Sequence, residues 1–143
     1  MTALTSDRNT PTAIGDARQG AVAAGQKVFA GALVMRNAAG YLVKGVTGLN
    51  LTGVGRAEDQ VDNTAGSDGD VSLAFRPGLF RFANDGSDTI TIADIGLPCY
   101  AVDDQTVART DGTGTRSKAG IVEMLDTQGV WVSFNEAVTR AAT

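Results

Sequence analysis

Six aspartates in the second half of the chain, Asp85, Asp88, Asp94, Asp103, Asp104 and Asp126, are of a type that could do acid–base chemistry. Two carboxylates held close together split their proton affinities and can serve as acid and base. These aspartates lie mostly in turn sequences, however, where a short carboxylate accepts hydrogen bonds from nearby backbone N–H groups. The turn reading therefore displaces the catalytic one. There is no histidine in the chain. That removes the commonest general base and metal ligand, and with it the Ser-His-Asp, Cys-His and His-based zinc arrangements.

Three further segments resemble sites and fall short. Residues 62–70 (DNTAGSDGD) have the flavour of a calcium loop. They lack the carboxylate at every second position before the glycine and the bidentate Glu at the loop's end, so at most a weak calcium site is expected. Residues 112–118 (GTGTRSK) have the glycines of a phosphate loop, but no Gly-Lys-Ser/Thr order and no following helix pattern. Cys99 stands alone, which excludes an intramolecular disulfide and a cysteine zinc site. Its setting in Leu97-Pro98-Cys99-Tyr100-Ala101-Val102 predicts a buried, unreactive thiol on a strand. No catalytic residue and no cofactor are expected.

The elements that would carry these residues are short strands. The chain has 143 residues, enough for one domain with an ordinary core, and 43% of them are hydrophobic. Glycine is used 18 times, well above its usual share of about 7%. Val71, Leu73 and Phe75 alternate with Ser72, Ala74 and Arg76, the period-2 signature of a half-buried strand. Phe80 and Phe82 share a face opposite Arg81, and Trp131 opposes Val130 and Val132. The turn residues of 37–40 and 126–129 each join two apolar runs into a hairpin. Residues 89–92 (TITI) also read as a strand. Along 51–58, Leu51, Gly53, Gly55 and Ala57 fall on one face, and their small size predicts close approach of another backbone. Nine or ten strands with frequent turns predict an all-β fold, a single-domain β-sandwich or small barrel, with a jelly roll among the possible topologies.

The predicted organisation is an extended N-terminal arm over 1–25, a β-domain over 26–134 and a C-terminal tail over 135–143. The arm is polar with isolated apolar residues and cannot bury enough surface to order itself. It reads as a strap for a neighbouring subunit, with Leu4 and Ile14 as apolar pegs and Arg8 and Arg18 as donors. On the domain, Arg76, Arg81, Arg109 and Arg116 are candidates to pair with acidic groups of a partner, against the plainer reading of a solvated sheet face. Arginine outnumbers lysine, which occurs only as Lys27, Lys44 and Lys118. Its forked guanidinium suits partly buried interfaces. The formal net charge of −4 gives no sequence-wide attraction for nucleic acid. There is no ~20-residue apolar run of the kind that spans a membrane. Nor is there a basic segment followed by an apolar one, so no signal peptide is expected.

Taken in order, Gly25-Gln26-Lys27-Val28 with Gly31-Ala32-Leu33-Val34, then Asp70-Val71-Ser72-Leu73 running through Gly78-Leu79-Phe80-Arg81-Phe82, begin a pattern. Ile95-Gly96-Leu97-Pro98-Cys99-Tyr100-Ala101-Val102-Asp103 with Val107, Gly120-Ile121-Val122-Glu123 and Gly129-Val130-Trp131-Val132 complete it. Over approximately residues 25–134 the chain resembles the capsid decoration, or cement, proteins of tailed phages. The resemblance implies a structural virion subunit made in the host bacterial cytoplasm. It would sit on the capsid exterior and bridge major capsid proteins as a dimer or trimer of itself. It transfers no catalytic residue. The alternative is a non-catalytic β-barrel module for a small ligand or carbohydrate, with Trp131, Tyr41 and Tyr100 as aromatic platforms. An enzyme using paired aspartates is a third reading, opposed by the missing histidine.

Overall fold

The computed structural model of the protein describes residues 2–10 and 15–143. Its strands are β1 (Arg18–Ala21), β2 (Lys27–Val28), β3 (Leu33–Arg36), β4 (Leu42–Lys44), β5 (Thr52–Ala57), β6 (Val61–Asp62), β7 (Ser72–Arg76), β8 (Gly78–Asn84), β9 (Pro98–Ala101), β10 (Thr106–Ala108), β11 (Lys118–Asp126) and β12 (Gly129–Phe134). A 3₁₀ turn at Ile92–Asp94 and a C-terminal helix α1 (Glu136–Ala141) are the helical elements. The fold is all-β, as the alternating runs predict.

Of the arrangements compatible with the strand list, the chain forms the small barrel. Strands β10, β8, β12, β11 and β9 pair in that order and close. Closure depends on a parallel pairing, Thr106↔Ala83 and Val107↔Asn84, in an otherwise antiparallel unit. Beside it lies a second five-stranded sheet, β1-β7-β5-β3-β4. Its two outer strands meet at one point, where Val22 bridges Leu42 and the Ala23 N–H donates to the Leu42 carbonyl at 2.9 Å.

Two hydrophobic cores follow from this arrangement, and β3 serves both. Val34 packs with Val22, Leu42, Leu73 and Phe75, while Leu33 and Met35 pack with Phe82, Val107, Val130 and Val132 of the barrel. A strand covered on both faces reads as a continuous apolar run, which is what Leu33-Val34-Met35 is. Where only one face is covered, alternation survives. In β12, Val130, Val132 and Phe134 are buried and Trp131 is half-exposed. The expected close approach at β5 is present: a Cβ on Gly53 would lie 1.8 Å from the Ala119 carbonyl oxygen of β11, and one on Gly55 2.2 Å from the Arg76 carbonyl oxygen. Cys99 is fully buried on β9, and burial pushes its thiol up to about 12.

Three sequence expectations need correction. The arm does not extend to Gly25. Arg18–Ala21 is a strand paired with β7 in the register Arg18↔Phe75 to Ala21↔Ser72, and Val22 is fully buried. The body of the domain therefore begins near Arg18. Residues 89–92 do not form a strand. The Asn84 side chain accepts from the Ile90 N–H and donates to its carbonyl, and Asp94 accepts from both the N–H and the hydroxyl of Thr91. Side chains thus take the backbone groups a ladder would have used. Finally, 135–143 is not a simple tail. Asn135 caps α1 by accepting from the Val138 N–H at 3.1 Å, Arg36 forks onto Glu136, and Thr139 is fully buried.

Candidate interaction surfaces

Four of the six aspartates considered for chemistry, Asp85, Asp94, Asp103 and Asp126, accept within their own turns. Asp85 takes the Asp88 N–H at 2.9 Å, and Asp103 takes the Gln105 N–H at 2.9 Å. Asp126 takes the N–H groups of Gln128 and Gly129 and the Trp131 indole N–H. Asp104 contributes its backbone carbonyl, which accepts from the Leu33 N–H at 2.8 Å. Three of the set, Asp88, Asp94 and Asp126, are also drawn into ion pairs, with Arg116, Arg109 and Arg81. The calcium-like loop is similarly occupied. Asp62 accepts from Thr64, Asp68 from the Ala24 N–H and Asp70 from the Ser67 N–H. Among the described residues no group of three or more metal-ligating side chains converges. In the Gly-rich loop the N–H groups of Thr115 and Arg116 both donate to the Asp111 carbonyl, so they are not free to cradle a phosphate.

At Asp88, Asp94 and Asp126 these bonds favour the ionised carboxylate. Hydrogen bonds from Thr110 hold the Asp88 carboxyl below its ordinary value, the Thr91 N–H does the same for Asp94, and the Trp131 indole for Asp126. Because the folded values lie below the unfolded ones, this stabilisation is present above the unfolded aspartate range and is lost as pH falls through the folded values. The melting temperature is expected to hold from about pH 6 to 5 and to fall below about pH 4. Asp94→Asn should lower it at neutral pH and flatten the acid limb; a limb as steep as the parent's would remove Asp94 from this account.

The four arginines of the domain proposed as partner contacts each find a carboxylate within the chain. Arg76 lies 3.6 Å from Glu58, Arg81 3.4 Å from Asp126, Arg109 3.1 Å from Asp94 and Arg116 2.9 Å from Asp88. Arg109 and Arg116 thus brace turns. Arg76 belongs to a small surface cluster that sequence reasoning missed, in which Arg56 bonds Glu58 at 2.7 Å and stacks 4.3 Å from the Phe80 ring centroid. The i, i+2 spacing of Arg56 and Glu58 was the available signal, since a strand puts both on one face. The Arg56 hydrogen bond leads the causes that hold the Glu58 carboxyl low. Arg81 sits elsewhere, on the outer face of the barrel, with its guanidinium 5.5 Å from the Trp131 ring centroid.

The remaining partner candidates belong to the arm. Residues 2–10 and 15–17 are exposed throughout, with Leu4 69% exposed and Arg8 further along the same exposed stretch. Ile14 lies outside the described residues. Arg18 marks the root of the arm; its guanidinium donates to the Gly15 and Ala17 carbonyls. It also lines a groove of about 360 Å³ with Arg36, Phe75, Pro77, Phe134 and Glu136. The Arg76 and Arg81 sites are thus separate, one on Glu58 and the other on Asp126. The aromatic platforms do not converge either. Tyr100 lines a cavity of about 350 Å³ with Arg116, Lys118 and Arg140, a cavity that neither Trp131 nor Tyr41 lines. No family model, no curated protein and no solved structure matches the chain.

Proposed function

We propose that this protein is a capsid decoration subunit that binds the outer surface of a tailed-phage head, bridges major capsid proteins and associates with copies of itself. The observation that carries the reading is that residues 2–10 and 15–17, ahead of β1, are exposed, with Leu4 presented to solvent. A subunit that cements a lattice needs a body to sit on one neighbour and a strap to reach the next. Many weak contacts repeated over a lattice give strong retention through effective concentration. The commitment of the turn aspartates to backbone N–H donors fits a structural role. The acidic balance suits protein partners.

A variant beginning at Arg18 tests this reading, because it removes the strap and keeps β1. It is expected to melt as the full chain does and to sediment with undecorated heads at least tenfold more weakly. Burying an aliphatic peg contributes roughly 1.5–3 kcal/mol, part of which is offset by ordering the segment. Unchanged occupancy of the heads would remove the strap. Failure of the full chain to sediment with heads of any tailed phage tried would remove the reading itself. The cavity beside Tyr100 supports the alternative, a small-ligand or carbohydrate module. Titration with sugars and nucleotides followed by Tyr100→Ala separates the two.

A further inference from the structure

The outer face of the barrel carries apolar side chains that the fold does not use. Met124 on β11 and Trp131 on β12 are cross-strand partners, and Trp131 is in turn paired with Arg81 on β8. The turn after the 3₁₀ segment lies against the same strand: the Gly96 N–H donates to the Val122 carbonyl at 2.8 Å, and the Val122 N–H donates to the Leu97 carbonyl at 3.0 Å. This brings Ile92, Ile95 and Leu97 to the margin of the Met124–Trp131 row. Their exposures are 80% for Ile92, 46% for Ile95, 49% for Leu97 and 45% for Met124. Leu79 extends the face along β8. Single exposed aliphatics need no explanation, but a contiguous group of this kind marks a contact surface.

We infer that this face is where a second copy of the chain docks, with Ile92, Leu97, Met124 and Trp131 at the centre of the contact. The inference names the surface for the self-association in the proposed function and rests on that part of it alone. Two observations favour a like copy. The first is area. Half-exposed side chains in this number present on the order of 500 Å². That is a large part of the roughly 800 Å² each partner contributes to a stable interface, and its apolar content is that of a homo-oligomer core. The second is charge. The row has a cationic end at Arg81, and Glu123 is exposed beside Met124 at the bulge of β11. Glu123 has no cation within ion-pair distance among the described residues. Arg81 holds Asp126 only at 3.4 Å, with both side chains about two-fifths exposed, so it can reach across. Two copies laid in opposite directions set the Arg81 end of one on the Glu123 end of the other. A face with both signs at opposite ends complements itself, which a purely acidic domain surface would not.

Sedimentation of the full chain in the absence of heads tests the inference independently of capsid binding. The wild type is expected at a multiple of 14.7 kDa at tens of micromolar. Ile92→Glu and Met124→Glu, each checked for an unchanged circular dichroism spectrum, should weaken association at least tenfold. Leu49→Glu, in an exposed apolar position of the 45–51 loop, should leave it intact. Trp131 is the only tryptophan, so dilution of the wild type should red-shift its emission as the face is uncovered. That readout needs no variant. A wild type that stays monomeric, an oligomer that survives both glutamates, or an emission unchanged through dissociation would each overturn the assignment. Binding of monomers to heads would still be measured separately.

Discussion

Replacing Gly53 with alanine is expected to destabilise the protein by about 3 kcal/mol or more, a large share of the 5–15 kcal/mol that holds a domain of this kind together. The added methyl carbon would lie 1.8 Å from the Ala119 carbonyl oxygen, 2.6 Å from its carbonyl carbon and 2.7 Å from its Cα. All three atoms are backbone. They belong to β11, which is pinned by β12 on one side and β9 on the other, so the strand cannot yield as a flexible side chain would. Relief requires β5 to move off the barrel, opening the seam between the two cores. Gly86→Ala is the control, since nothing lies within 4 Å of its Cβ position and its φ is not in the left-handed region. That substitution should be neutral or slightly stabilising. Urea melts of the two variants decide the matter. A Gly53→Ala midpoint close to that of Gly86→Ala would mean that β5 and β11 are not in this contact.

Removing residues 1–25 is expected to be as damaging, in contrast to removal of 1–17. The shorter deletion takes residues ahead of β1, of which 2–10 and 15–17 are exposed. The longer one removes β1 and its ladder with β7, together with Val22 and Ala23. Burial of Val22 contributes roughly 1.5–3 kcal/mol. The deletion also strips Asn63, only 2% exposed, of two acceptors: its side-chain amide donates to the carbonyls of Val22 and Ala23 at 3.3 and 3.1 Å. The amide keeps the Ser67 carbonyl at 2.9 Å, and its other N–H, left unpaired, adds about 1–3 kcal/mol to the loss. Opening the β1 edge exposes Leu73 and Phe75 besides. The expected sum approaches the whole stability of a small domain, so the chain beginning at Gln26 should melt far below the chain beginning at Arg18, or fail to fold. Equal melting of the two would show that β1 is an accessory strand.

Much of this architecture was legible in the residues themselves. Side-chain alternation is a local property, and it correctly assigned the strands around Leu73, Phe82 and Val132 and the outward face of Trp131. Turn chemistry is local too. Asn37 accepts from the N–H groups of Ala39 and Tyr41, and Asp126 from those of Gln128 and Gly129, so both hairpins were readable from their turn residues. The apolar run around Cys99 foretold its burial. The turn settings of Asp85, Asp94, Asp103 and Asp126 foretold how those carboxylates are used.

What only the tertiary structure decided depends on partners distant in sequence. Arg18-Gln19-Gly20-Ala21 has no apolar period of its own, and it becomes a strand because β7, more than fifty residues later, offers it an edge. The barrel closes through the pairing of β8 with β10, parallel strands that no turn joins directly. Thr89-Ile90-Thr91-Ile92 alternates as well as any strand in the chain, yet Asn84 and Asp94 take up its backbone groups and fold it into a turn, sending Ile90 into the core and leaving Ile92 in solvent. The same holds for the arginines, whose charge was plain but whose carboxylates lie 2 to 100 residues away along the chain. Period and turn type determine what a segment can form. Which segments pair, which face each turns outward and which charges remain free for a partner are set by long-range packing, and a short stretch of sequence does not encode the identity of the strand that will lie beside it.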